Sequence, residues 1–400
     1  MPVASFTSLL QEESFDSVSG RIIRALSERG SLTAAQIARS TGLARSTVST
    51  AVAALRKSGL VMDADSPDGP VSRQIGRPGT ALRLNPEAGT CIGVHIGLDE
   101  LRVVVADVSH SIISEQNIPM VRDYNPAEAA LQLQQFIAST YAEHGLRHAG
   151  LLGIGVSVSA PVSPNGTVHR SSIVPSWAGV NVVEVFGAAL GTSILVNNES
   201  NCSAIAEYMW GAAQGEEDFV LFKMVNVGIG GSIVVKGQVR SGVAGGAGEF
   251  GHISIDPEGE LCRCGNRGCL ELKLGFAAAL SDLSRVHGQR VTMDQAVDLA
   301  LAGDVGAARL ISDQGELAGL ALAMIGNVLN PPMFLISTAL VRSGPILMDP
   351  LCAAFEKHSL LKTHELDEAL RTRIVPGALF ANDVVLGAVG LVLRHHGRIS

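Results

Sequence analysis

The sequence predicts an α/β chain in two parts: a small N-terminal module of three short helices and a hairpin, then a larger body in which strands and helices alternate. Three observations carry that expectation. Between Ser17 and Leu60 apolar residues recur at helical spacing in three short runs, the second and third separated by Gly42. From Cys91 to Val158 the pattern becomes three strand-like runs, a helical run and a fourth strand-like run. Between Ala247 and Glu271 stands a compact run of Gly, Cys, His and acidic residues that belongs to neither pattern.

Four hundred residues exceed one typical domain, and 46% hydrophobic residues suffice for well-filled cores. The richest apolar stretch, Leu317 to Ile336, is interrupted by Asn327 and by Asn330-Pro331-Pro332, so membrane insertion is not expected. Residues 1–16 carry Glu12, Glu13 and Asp16 without an apolar core, which does not read as a signal peptide. A cytoplasmic protein is the expectation. The net charge of −8 argues against nucleic-acid binding over the whole surface, but the charge is unevenly placed. Residues 17–90 hold ten Lys/Arg against five Asp/Glu, residues 1–16 carry −3, and residues 91–400 therefore carry −10. A basic module on an acidic body suits a DNA-binding domain joined to a regulatory one.

In chain order, Ile22, Ile23 and Leu26 mark a first helix ending near Gly30, and Ile37 and Ala38 a second, over about Thr33 to Arg39. Thr41-Gly42-Leu43 turns into a third helix with Val48, Val52 and Leu55 on its inner face. This is a helix-turn-helix pattern. The third helix offers Arg45, Ser46, Thr47, Ser49 and Thr50 on its other faces, small hydrogen-bonding groups and one Arg suited to base edges and phosphates. Ala44 supplies no N-cap side chain. Two short strands around a polar, basic loop follow, with Arg77 within Gly76-Arg77-Pro78-Gly79, which reads as a wing whose arginine suits a narrow minor groove. Residues 17–87 are expected to form this module and 88–400 the body, with Asn85-Pro86 as the junction.

In the body, strands are expected near Ile92–Gly97, Leu101–Ala106, His110–Ile118 and Leu151–Val158, with a helix over Ala129–Ile137 before the last. Further strands are read near Phe219–Val227, Ser232–Val235 and Met333–Ser337, with helices between Leu272 and Leu329 and near Gly344 and Asn382. The cysteine run reads Cys262-Arg-Cys264-Gly265-Asn-Arg-Gly268-Cys269, with His252 nine residues before it. Its glycines permit the positive-φ turns of a metal knuckle, and three Cys with one His match a tetrahedral structural zinc. A disulfide or a chance cluster is the competing reading. Cys91, Cys202 and Cys352 stand apart in apolar surroundings, as buried thiols in a reducing compartment would.

Glu249-x-x-His252 followed by Cys262-x-Cys264-Gly265-x-x-Gly268-Cys269-x-Glu271 resembles the signature of the ROK family of bacterial sugar kinases and sugar-responsive repressors. The resemblance implies an N-terminal winged helix-turn-helix on a two-lobed, ribonuclease-H-like (actin/sugar-kinase) body with a zinc loop. It also implies that His252, Cys262, Cys264 and Cys269 bind structural zinc, while Glu249, His252 and Glu271 reach a sugar. The family's Asn-Asp-x-Asn motif appears as Asn198-Glu199-Ser200-Asn201, which makes Asn198 and Glu199 sugar ligands as well. In the kinases that aspartate is the general base, and Glu199 displaces the carboxylate by a methylene, an error of about an ångström that can cost ~100-fold in rate.

The family's phosphate motifs are altered further. Where the kinases carry Asp-x-Gly-Gly-Thr this chain has His95-Ile96-Gly97-Leu98-Asp99, and Asn226-Val227-Gly228 replaces Gly-Thr-Gly. The expectation is therefore no catalysis. The chain reads as a DNA-binding regulator, a repressor, whose kinase-like domain senses a sugar or sugar phosphate. A palindromic operator and a homodimer or homotetramer accompany that reading, since two-fold sites call for two recognition helices. A sugar-transport protein is a further partner that the resemblance allows, and an ATP-dependent sugar kinase with an appended DNA-binding domain is the rival. Two further segments, Ser157 to Pro161 and Val168 to Ser172 before Pro175-Ser176-Trp177, match the family's sugar-lobe positions less specifically, with Ser171 a candidate ligand contact and Trp177 a packing anchor.

Overall fold

A computed structural model describes residues 17–64, 80–146, 150–169, 171, 173–226 and 228–395. The first module holds helices α1 (Val18–Arg29), α2 (Ala34–Thr41) and α3 (Arg45–Lys57) and strands β1 (Leu32–Thr33), β2 (Val61–Asp63) and β3 (Ala81–Leu84). Each helix starts and stops for a local reason. Ser17 caps α1, and Thr33 with Gln36 forms a capping box on α2. Gly42 ends α2 at φ +68°, a left-handed conformation that glycine adopts without strain. As expected, Ala44 gives α3 no side-chain cap. Ile22, Leu26, Ile37, Val48 and Leu55 are buried between the helices. The hairpin β2–β3 is antiparallel; the wing loop and Arg77 lie outside the described residues.

The body contains two five-stranded sheets with one topology. The first comprises β4 (Thr90–Ile96), β5 (Glu100–Asp107), β6 (Ile112–Pro119), β7 (Leu151–Val158) and β8 (Ile194–Asn198), ordered β6-β5-β4-β7-β8. The second comprises β9 (Phe219–Val225), β10 (Gly228–Val235), β11 (Gln238–Val239), β12 (Met333–Ser337) and β13 (Arg373–Pro376), ordered β11-β10-β9-β12-β13. In each, the first three strands are antiparallel and the last two parallel to the first. The duplication is thus explicit in the strand order. Strands β11 and β13 had no counterpart in the sequence reading: one has two residues and the other four, too few for a period to register.

Helices α4 (Pro126–Glu143) and α5 (Val182–Leu190) cover the outer face of the first sheet; α7 (Leu270–Leu274), α8 (Phe276–His287), α9 (Met293–Leu301), α10 (Val305–Leu329) and α11 (Pro345–His358) cover that of the second. Between the sheets lie α6 (Glu199–Trp210) and α12 (Asp383–His395). Helix α12 packs on β4 and β7, and α6 packs on β9 and β10. Val385, Val389 and Val392 of α12 share a core cluster with Ile22, Leu26 and Leu55, so the N-terminal module is seated on the body. Among the described residues no helix is long and apolar enough to cross a membrane. Cys91 and Cys202 are buried, but Cys352 is exposed, contrary to the sequence reading. It lies on the outer face of α11, whose Leu351 and Phe355 turn inward, and an apolar local composition does not reveal that face.

A buried ion pair joins the lobes. Lys223 Nζ on β9 donates to Asp383 Oδ2 on α12 at 2.7 Å, to Ser203 Oγ on α6 at 3.0 Å and to Ser337 Oγ on β12 at 3.3 Å. Lys223 is 3% exposed and Asp383 1%. Asp383→Ala is therefore expected to lower stability by about 3–5 kcal/mol, because it strands a buried ammonium, and Lys223→Met in the same chain should recover most of that loss. Chemical denaturation measures both; a double variant no more stable than the single one would contradict this account.

Candidate ligand cavity, metal cluster and nucleic-acid interface

A cavity of about 610 Å³ opens between the lobes. Asn198, Glu199, Glu249, His252 and Glu271 all line it, although they are spread over more than seventy residues of sequence. Asn198 ends β8 and caps α6, accepting from Ser200 N at 2.8 Å while its amide donates to Ala160 O at 3.0 Å. Glu199 opens α6, where the helix N-terminus favours a carboxylate. Its Oε2 accepts from Ser159 Oγ at 2.5 Å. From the other lobe come Glu249 and His252, on the tight segment that follows β11, and Glu271 in the first turn of α7.

The charges of this cavity are coupled. Burial, then the carboxylates of Glu199 and Glu271, push Glu249 up to about 7, with Arg263 opposing. Glu271 is held differently, by a two-pronged ion pair in which Arg263 Nε donates at 3.0 Å and Nη2 at 2.8 Å. Arg263 also lines the cavity. The sequence reading passed it over; a cation placed between two cysteines of the candidate metal cluster was the available signal. Ser171 lines the cavity too, its hydroxyl donating to Ser159 O at 3.3 Å. Trp177 is wholly buried, edge-on to Tyr124 and Phe186. His95 lies beside Glu199, Nε2 to Oε2 3.9 Å, and Nδ1 is 3.3 Å from Ser157 Oγ. Burial lowers its pKa against the opposing pull of Glu199 and Glu100, leaving a neutral ring near pH 7.

Next to the cavity, His252, Cys262, Cys264 and Cys269 bring one ligand atom each within 4.8 Å of one another. Cys264 Sγ and Cys269 Sγ are 3.7 Å apart, as are Cys262 Sγ and His252 Nδ1. Metal–sulfur bonds of about 2.3 Å and metal–nitrogen bonds of about 2.0–2.1 Å at tetrahedral angles require separations of roughly 3.5–3.8 Å, which these two pairs match, so the group could hold one metal ion. Gly265 and Gly268 adopt φ +98° and +57°, and a Cβ at Gly268 would stand 1.7 Å from Asp256 O. These positive-φ turns close the knuckle. His252 thus both joins this cluster through Nδ1 and lines the cavity.

On α3, Arg45, Ser46, Ser49 and Thr50 are exposed, and Thr47 is half-buried. Thr50 Oγ1 donates to Ser46 O at 3.1 Å. Ser46 and Thr50 lie opposite Val48, Val52 and Leu55, Ser49 lies on the flank, and Arg45 stands exposed at the N-terminal end of the helix.

The sequence model of the ROK family matches residues 91–395, and that of a winged helix-turn-helix DNA-binding domain matches residues 15–62. The chain is 26% identical over 379 residues to the xylose repressor of Bacillus spizizenii, covering 94% of each chain. It is 28% identical over 392 residues to the DNA-binding transcriptional dual regulator NagC of Escherichia coli, covering 94% of this chain and 92% of that one. Among solved structures, a ROK family transcriptional regulator described as a homolog of the E. coli MLC protein superposes with a TM-score of 0.74 at 22% identity, over 95% and 96% of the two chains. A ROK family glucokinase from Streptomyces griseus, solved with glucose and AMPPNP, superposes with a TM-score of 0.64 at 22% identity, over 76% of this chain and 99% of that one.

Elemental analysis of native protein is expected to find one metal ion per chain, and Cys264→Ser should reduce that content and the melting temperature together, because binding energy at such a knuckle is folding energy. Metal-free native protein with an unchanged melting curve would contradict the assignment.

Proposed function

The chain belongs to the ROK family, and from that premise we propose that it is a sugar-responsive transcriptional repressor whose kinase-like body senses rather than phosphorylates its ligand. The observation that carries the reading is one chain holding a winged helix-turn-helix and, between two lobes, a cavity lined by carboxylates and one imidazole. Carboxylates accept hydrogen bonds from vicinal hydroxyls, and the charge assistance makes such bonds roughly twice as strong as neutral ones. The names of the relatives, xylose repressor and N-acetylglucosamine repressor, support a sugar as effector.

In this proposal Asn198, Glu199, Glu249, His252 and Glu271 hold a sugar or sugar phosphate, and structural zinc on His252, Cys262, Cys264 and Cys269 braces the loop that carries three of them. Residues 17–87 form the DNA-binding module and 88–400 the sensing body. Arg45, Ser46, Thr47, Ser49 and Thr50 meet the major groove of a palindromic operator, and Arg77 the adjoining minor groove. A homodimer or homotetramer in the cytoplasm presents two such modules. A sugar-transport protein is a second kind of partner. The neutral ring of His95 supports the absence of kinase activity, because it offers no negative charge to a nucleotide-bound metal ion. The lengthened Glu199, held by Ser159, supports it as well.

Two variants should separate the two activities. Arg45→Ala is expected to weaken operator binding by about 1–3 kcal/mol in gel-shift titrations, while sugars still raise its melting temperature. Glu249→Ala should bind operator as wild type does yet show no sugar-dependent rise in melting temperature. Sugar-dependent ADP release from pure protein, abolished by Glu199→Ala, would instead establish a sugar kinase with an appended DNA-binding domain.

A further inference from the structure

Helix α6 reaches from the cavity to the DNA-binding module. Its first residue, Glu199, lines the cavity, and its last, Trp210, donates from Nε1 to the carbonyl of Ser27 in α1 at 3.1 Å. Twelve residues at about 1.5 Å each make a rigid connection of about 18 Å. At its N-terminal end the helix is tied to the second lobe: Asn201 Oδ1 accepts from Ser232 Oγ of β10 at 2.8 Å, and Ser203 Oγ accepts from Lys223 of β9 at 3.0 Å. The far end meets two other bodies. The Trp210 indole stacks on His110, in the β5–β6 turn of the first lobe, with ring centroids 4.7 Å apart and planes at 24°.

The module's apolar core is continuous with α12, the first sheet and Trp210 itself, whereas the N-terminal half of α6 is hydrogen-bonded to the second lobe through Asn201 and Ser203. A movement of the second lobe against the first therefore acts on α6 at the end opposite the module. We infer that Trp210 is a positioning residue that transmits closure of the cavity to the DNA-binding module through its hydrogen bond to Ser27. The inference rests on the sugar-responsive reading above and adds the route by which the sugar acts; a ligand can shift the module only so far as it binds one lobe arrangement better than the other.

The test uses Trp210→Phe in the full chain, which removes the indole N–H and keeps an aromatic ring for His110. The probes are D-xylose, N-acetyl-D-glucosamine and their phosphates, with an operator duplex that the protein selects from a random pool. The variant should retain the sugar-induced rise in melting temperature and bind operator without sugar within about threefold of wild type. The change in operator affinity on adding sugar, roughly 5- to 150-fold for a typical coupling, should shrink to less than about twofold. A variant that responds to sugar as wild type does overturns the inference. Hydrogen exchange on the wild-type protein tests it without a substitution: sugar should alter protection in 18–29 and 199–210 together, and unchanged exchange in 18–29 at saturating sugar overturns it. A wild type that binds none of the sugars, or binds operator equally with and without them, would refute the repressor reading itself.

Discussion

The crossing of α6 and α12 is the constraint on which the other features depend. A Cβ at Gly387 of α12 would lie 1.8 Å from the carbonyl oxygen of Cys202 in α6, and one at Gly155 of β7 would lie 1.8 Å from the carbonyl of Ala388. Helix α12 is thus pressed against α6 on one side and the first sheet on the other, with no room for side chains at those points. Because α6 faces the second sheet, the two helices form the only layers between the lobes among the described residues. The Lys223–Asp383 pair sits where they approach the second sheet. Such a pair adds little net stability against an apolar substitute, but it fixes which groups must meet.

That layer also explains why the cavity has the composition it has. The first lobe contributes a strand end and helix start, Asn198 and Glu199, where backbone N–H groups and the helix dipole stabilise a carboxylate. The second contributes a loop with little regular structure, and there the cysteine knuckle replaces secondary structure as the source of order. Arg263 ties this loop to the cavity, since it stands between Cys262 and Cys264 and its guanidinium pairs with Glu271. At Glu249 the pull of Arg263 is outweighed, and its raised pKa follows from burial beside two other carboxylates.

Much of this was legible in the sequence, for reasons that differ by element. Helices α1 to α3 were visible because their inner faces repeat at helical spacing, and β7 and β12 because each is a continuous apolar run of strand length. The grouping of His252 with Cys262, Cys264 and Cys269 was visible because these residues are close in sequence. The mutual arrangement of Glu199 and Glu249 was not, since fifty residues separate them and only the lobe packing brings them to one cavity; the family signature supplied that expectation. Arg263 and the Trp210–Ser27 contact escaped for the same reason: each acts through a partner that no local pattern identifies. Cys352 was misplaced because local composition does not reveal which face of a helix turns outward.

Occupation of the interlobe cavity should alter the hold of α3 on DNA. A titration of the selected operator duplex by wild-type protein at fixed salt, with and without a saturating sugar that raises the melting temperature, measures this. Fixed salt matters because phosphate contacts make affinity strongly salt-dependent. Operator affinity should change roughly 5- to 150-fold; identical titration curves in the presence of a sugar shown to be bound would mean that the cavity does not act on the DNA-binding module.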